Sequence, residues 1–349
     1  MILPWIGFVA FVGMVLALDL GVFNREAKQP STREALTFTA LTVFLALIFA
    51  AVVYLAYEHQ VAGLGSRPDA IDGRINDGHT AVVKFITGYV VELSLSMDNV
   101  FVIALIFGHL GIPPRFQHRV LFWGILGALI MRGSMIAGGT ALVSRYHWVM
   151  YVFGAFLVFT AAKMLLAGER DEAPEERWIV RWLTRHFRVT KEFHSQRFTL
   201  MRDGKRWITP LAVALVLIET TDLLFAVDSI PAIFAITTDP FLVFTSNVFA
   251  ILGLRSLYFG LARLIERFKY LNISLAIILG LVGLKMLAGS AIDRWIGESQ
   301  HAVTLATVLG VLAAGAIASV VMTRSVRVSI TDTSSEFPLA TYTSSRRRS

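Results

Sequence analysis

At 349 residues, 55% hydrophobic and only 16% charged, with a mean hydropathy of +0.64, the chain lies far from a soluble domain, in which roughly 25% of residues are charged. The absence of cysteine excludes disulfides, thiolate zinc sites and Cys-bound iron–sulfur clusters. The +7 charge does not require a nucleic-acid partner, because the basic residues crowd into particular loops, as membrane topology demands.

Long apolar runs predict an all-α polytopic membrane protein with about nine spans: 2–22, 36–57, 81–106, 118–142, 148–167, 209–236, 243–262, 272–290 and 301–322. Each is long enough to cross ~30 Å of hydrocarbon at ~1.5 Å per residue. The first run is apolar from Ile2, with no basic flank and no small-residue cleavage site, and reads as a retained helix rather than a secretory signal. It ends at Asp19 beside Gly21, either a path-lining acid or a solvated helix end.

The third span holds Glu92-Leu93-Ser94-Leu95-Ser96-Met97-Asp98-Asn99. A carboxylate deep in a lipid-spanning helix is costly and is kept where it works or is paired. Six residues advance a helix by ~600°, so Glu92 and Asp98 stand ~120° apart unless the helix breaks. The fourth span carries Arg132 near its middle, and the fifth carries Lys163 near its end.

Residues 168–208 form a loop with ten Lys and Arg. Trp178, Ile179, Trp182, Leu183 and Phe187 recur there at helical spacing between Arg177, Arg181, Arg185 and Arg188, a basic amphipathic helix suited to the membrane face. Phe198 to Trp207 brackets Asp203-Gly204, a hairpin turn signal.

The sixth span repeats the acidic pattern as Asp222-Leu223-Leu224-Phe225-Ala226-Val227-Asp228-Ser229, with Glu219 one turn earlier. Pro231 deprives the Val227 carbonyl, beside Asp228, of its helical donor. A freed carbonyl next to a carboxylate is a plausible cation ligand pair. Arg255 and Lys285 follow in the seventh and eighth spans. The Ser/Thr-rich segment 323–349 reads as a disordered tail.

An internal repeat emerges. The acids match at an offset of 130, Arg132 and Arg255 at 123, and Lys163-Met164-Leu165 and Lys285-Met286-Leu287 at 122. Residues 81–167 and 209–290 thus form two three-span units within a single membrane domain, 1–322. An odd number of spans makes the units inverted, a common transporter plan with the site at their interface. Most Lys and Arg fall on one side of this topology, placing the N-terminus outside and the C-terminus and loop 168–208 in the cytoplasm.

Six side chains are candidate metal ligands: Glu92, Asp98, Asn99, Glu219, Asp222 and Asp228. Carboxylate, amide and carbonyl oxygens suit hard ions such as Mn²⁺, Mg²⁺ or Ca²⁺. Arg132 and Arg255 are candidate charge-balancing groups, and structural ion pairing with them is the alternative reading for any single acid. Asp19, Lys163 and Lys285 are path candidates, although lysines near span ends snorkel readily. No HExxH, G-x-S-x-G or phosphate-cradling motif is present, so the expectation is a transporter without a permanent cofactor rather than an enzyme or ATP-driven pump. Sequence leaves oligomeric state open.

Glu92–Asn99, Glu219–Asp222, Phe225–Ile233 and Leu18–Asn24 resemble the signatures of the TerC/Alx family across essentially all nine spans. The resemblance implies a protein of the plasma (inner) membrane with a part in metal homeostasis, manganese efflux being the best supported role. Tellurium resistance gave that family its name. It also implies an alternative, because relatives in photosynthetic membranes are tied to membrane-protein assembly: a scaffold for assembly or metalation without transport of its own.

Overall fold

The computed structural model describes residues 2–18, 32–166, 174–190, 193, 197–202, 204–261, 269–288 and 300–334. Ten α-helices dominate these residues: α1 (Ile2–Leu18), α2 (Thr32–Glu58), α3 (Gly78–His109), α4 (Pro114–Arg145), α5 (Trp148–Leu166), α6 (Pro174–His186), α7 (Pro210–Phe234), α8 (Pro240–Leu261), α9 (Lys269–Ala288) and α10 (Gln300–Ser334). Strands β1 (Thr199–Arg202) and β2 (Lys205–Ile208) pair antiparallel as the predicted hairpin, with Gly204 at φ 68° in its turn.

Local chemistry sets several boundaries. The Asp77 carboxylate caps α3 by accepting from the Thr80 amide at 2.7 Å. α4 and α7 open on Pro114 and Pro210, where a missing amide proton is harmless. Gly111, at φ 59°, turns the chain from α3 into α4.

Among the described residues, six helices are long and apolar enough to cross a membrane: α2 from Thr37, α3, α4, α5, α7 and α10 to Ser319. The other three predicted spans correspond to shorter apolar stretches, Ile2–Leu18, Pro240–Leu254 and Asn272–Ala288. The expected disordered tail starts as helix: α10 runs on to Ser334, since no Gly or Pro interrupts 322–334. Residues 335–349 and Asp19 lie outside the described residues.

Leu41, Phe44, Leu47 and Ile48 on α2, and Ile317 and Val321 on α10, present apolar side chains outward, as a lipid-facing surface does. Inside, α3 packs on α8, α4 on α7 and α5 on α9. Gly154 and Gly283 permit the last contact: a β-carbon on either would lie 2.9–3.1 Å from the other's carbonyl oxygen. Phe8, Phe49, Phe85, Phe241 and Phe249 weld α1, α2, α3 and α8 together.

The amphipathic helix has more protein contact than its pattern implied. Ile179 and Leu183 of α6 are buried in a cluster with Phe116 and Leu211 at the ends of α4 and α7. Trp178 and Trp182 stay 64% and 43% exposed.

Candidate functional site

One side chain gathers the central polar groups. Arg132 of α4 is 1% exposed and pairs with Glu92 of α3 and Asp222 of α7. Its Nη2 donates to Asp222 Oδ1 at 2.8 Å and its Nε to Asp222 Oδ2 at 3.2 Å, a two-pronged grip that only a guanidinium makes. Its Nη1 donates to a Glu92 carboxylate oxygen, and also to Asn247 Oδ1 at 3.2 Å and Ser229 Oγ at 3.4 Å. Asn247 Nδ2 donates to the other Glu92 oxygen at 3.0 Å, and Asn99 Nδ2 reaches Asp222 Oδ1 at 3.4 Å. Four helices therefore converge on one buried cluster. The ion pairing differs from the expectation of one acid per arginine: Arg132 bridges two acids, one from each predicted unit.

The remaining candidates are distributed around this hub. α3 is continuous through Asp98, so Glu92 and Asp98 keep their ~120° separation; Glu92 and Asn99 are buried and Asp98 is half-buried. Asp228, also half-buried, accepts from Thr160 Oγ1 of α5 at 3.3 Å. The Glu219 carboxylate rests against Gly127 of α4, in space that a β-carbon there would fill. α7 stays helical through Pro231. Among the described residues, no three Asp, Glu, His or Cys side chains stand close enough together to hold a metal ion. In this conformation Glu92 and Asp222 serve the arginine. The backbone of Arg255 lies in α8, and its side chain lies outside the described residues.

A second polar knot lies at one end of the bundle and has no counterpart among the residues singled out above. Lys84 of α3 is fully buried and donates to Asp69 Oδ2 at 2.9 Å, Asp72 Oδ2 at 2.8 Å and Asn76 Oδ1 at 2.7 Å. Asp69 also accepts from the Thr238 amide at 3.0 Å and hydroxyl at 2.7 Å, and from the Thr237 hydroxyl. Asp72 meets His301 Nε2 of α10 at 2.8 Å. Burial alone raises both carboxyls. The Lys84 charge, with the Thr237 and Thr238 hydrogen bonds, outweighs burial at Asp69; the His301 contact and Lys84 outweigh it at Asp72. Both are held below the usual carboxylate range. Lys285 belongs beside this knot: its Nζ donates to Thr304 Oγ1 at 3.1 Å, and it lines a small cleft with Lys84, Thr87 and His301. Lys163 is exposed at the end of α5.

The chain does carry a signal for the knot. A lysine inside an apolar run, shortly after a loop containing Asp69, Asp72 and Asn76, requires an acidic partner. Ser246-Asn247 inside another apolar run is the equivalent sign for the hub.

Residues 77–327 match the family model described as "Integral membrane protein TerC family". A membrane protein of Myxococcus xanthus, STKORF319, is 46% identical over 320 residues, covering 92% of each chain. Alx of Escherichia coli (strain K12), provisionally described as a membrane-bound redox modulator, is 41% identical over 311 residues, covering 89% of this chain and 92% of its own. A membrane protein of Rickettsia felis is 36% identical over 319 residues, covering 91% and 98%. No solved structure matches.

Proposed function

Because the chain belongs to the TerC family of integral membrane proteins, we propose that it is a secondary transporter exporting a divalent metal ion, with Mn²⁺ the favoured substrate. One observation carries this reading: carboxylates from α3 and α7, the first helices of the two predicted units, meet in one buried polar cluster midway along their spans. Acids brought together inside a membrane mark an ion path.

In this reading the nine apolar helices all span. α3–α5 and α7–α9 are inverted repeats, with the N-terminus outside and the C-terminus in the cytoplasm of the inner membrane. The reciprocal packing of α3 on α8 and α4 on α7, with α5 against α9, supports two units related by a pseudo-twofold axis. Asp98 and Asp228 supply central ligands once the units rock. Glu92, Asn99, Asp222 and Glu219 complete the shell or carry protons as the metal leaves, and the Val227 carbonyl freed by Pro231 adds an oxygen. The resident arginine implies that the ion-binding arrangement differs from the one described. Any redox effect follows from the metal moved, since a chain without cysteine has no thiol–disulfide exchange of its own.

Asp98→Ala and Asp228→Ala, expressed in a manganese-sensitive host, test the site. The expected outcome is lost manganese tolerance at normal protein levels; unchanged tolerance refutes the assignment. Uptake by purified protein in liposomes, comparing Mn²⁺ with Mg²⁺, Ca²⁺ and Zn²⁺ at two pH values, reads selectivity and proton exchange.

A second reading, an assembly or metalation scaffold, draws on the exposed Trp178 and Trp182 of α6 beside a basic hairpin. Deleting 176–208 separates the two: if assembly of other membrane proteins fails while metal export persists, the scaffold reading is favoured.

A further inference from the structure

We propose that Arg132 is a tethered counter-cation: it occupies the substrate's seat between turnovers and must vacate it before a metal ion can bind. This rests on the metal-export reading above and goes beyond it by making one side chain the substrate's competitor.

The oxygens of Glu92 and Asp222, which complete the ion's shell in the reading above, are already taken. Glu92 accepts from Arg132 on one oxygen and from Asn247 on the other. Asp222 accepts from Arg132 on both oxygens and from Asn99 on one. A dication held by Asp98 and Asp228 gains these two further carboxylates only if the guanidinium withdraws. The converse also holds. When the metal has left, two acids would remain buried near the membrane centre with a charge of −2; the arginine reduces this to −1 and returns donors to both carboxylates. Burial of unpaired charge is heavily penalised, so a carrier emptied of metal and lacking this cation resists the return step.

The residue type fits this duty. Arginine does not shed its proton at accessible pH, so it cannot vacate the seat by neutralisation and must move as a cation. Intermediate partners are in place: Nη1 already shares Ser229 Oγ and Asn247 Oδ1, neutral acceptors on α7 and α8 that can hold it while the carboxylates are released. Arg132 thus couples metal occupancy to helix arrangement. The acids bind either the arginine, with α3, α4, α7 and α8 pulled together as described, or the metal, in a different arrangement.

The test uses full-length protein in liposomes, with Arg132→Gln and Arg132→Lys, and three measurements: Mn²⁺ affinity, Mn²⁺/Mn²⁺ exchange across the membrane, and net Mn²⁺ transport. A resident competitor lowers apparent affinity by the fraction of time the seat is free, so Arg132→Gln should bind Mn²⁺ about tenfold or more tightly than the unmodified protein. It should keep exchange, which never requires an empty return, and lose net transport. Arg132→Lys, a single-point cation with a weaker grip, should fall between the two on affinity and on net transport. A purely structural arginine predicts the opposite: weaker binding, with exchange and net transport falling together. Unchanged or weaker Mn²⁺ binding in the folded variants overturns the proposal. If Arg132→Gln fails to fold, Arg132→Lys, which keeps a charge in the membrane core, decides the question by its affinity alone: tighter Mn²⁺ binding supports the proposal, and equal or weaker binding overturns it. If the unmodified protein neither binds nor exchanges Mn²⁺, the export reading itself falls and this proposal with it, an outcome distinct from the others.

Discussion

Lys84→Met removes the ammonium from the knot formed by Asp69, Asp72 and Asn76 while keeping most of the side chain's bulk. Lys84, Asp69 and Asp72 are almost wholly buried, with contacts of 2.8–2.9 Å, so solvent screens little of the interaction. Removing one partner of such a buried pair costs about 3–5 kcal/mol, because the charge left behind is uncompensated. Here one lysine serves two carboxylates, which places the expectation at the upper end of that range. The assay is unfolding of detergent-solubilised protein by SDS titration or heat. A triple variant, Lys84→Met with Asp69→Asn and Asp72→Asn, removes the orphaned charges and should recover more than half of the loss. Thr237, Thr238 and His301 keep hydrogen-bonding partners in the amides. A loss below about 1 kcal/mol for Lys84→Met, or no recovery in the triple variant, refutes the claim that this ion cluster clasps the loop before α3 to the turn after α7.

The same knot sets a pH dependence. Asp69 and Asp72 have depressed folded-state values, so their stabilisation is fully present above the unfolded range near pH ~4 and is lost as pH falls through it and below. Asp239, whose buried carboxyl is held above the usual range despite its hydrogen bonds, opposes this trend; the difference in melting temperature between the unmodified protein and Asp72→Asn isolates the share of Asp72, which should shrink between pH 6 and pH 3. A shrinkage of zero contradicts the assignment. Gly127→Ala should leave stability within about 1 kcal/mol, because the opposing group is the mobile end of Glu219, yet reduce liposome Mn²⁺ transport by displacing that carboxylate; unaltered transport removes Glu219 from the path. Gly283→Ala presses a methyl group onto the Gly154 carbonyl and the Leu157 side chain, neither of which yields easily, and should cost about 1–3 kcal/mol in the same unfolding assay.

Types of element were more legible in the sequence than partners. Runs that are apolar on every face exposed the membrane helices, and Asp203-Gly204 exposed the hairpin. The six-residue spacing of Glu92 and Asp98 left two arrangements open, and the continuity of α3 selects the one in which they stand ~120° apart. Periodicity reveals which face of a helix is apolar but not what covers it, so Ile179 and Leu183 of α6 suggested lipid where they meet Leu211 and Phe116. Long-range pairing was less accessible. Asp69 and Thr238 are 169 residues apart in the chain, and no local pattern links them. Arg132 and Asp222 both stand out in the sequence, but that one guanidinium holds Asp222 and Glu92 together follows only from the convergence of four helices. Ser229 does not stand out, and Ser246-Asn247 is a weaker sign than Lys84, because small polar residues inside apolar runs also serve ordinary helix packing.

Where α5 crosses α9, the two chains touch main chain to main chain at Gly154 and Gly283. The side chains of Leu157 and Val158 on α5, and of Met286 and Leu287 on α9, close around that point, so a tilt of one helix on the other would have to carry them along. A joint of this kind holds the two helices at one spacing, as a rivet does. Under the export reading proposed above, α5 and α9 would then move as one piece, and the rearrangement that frees the acids around Arg132 would have to come from α3, α4, α7 and α8.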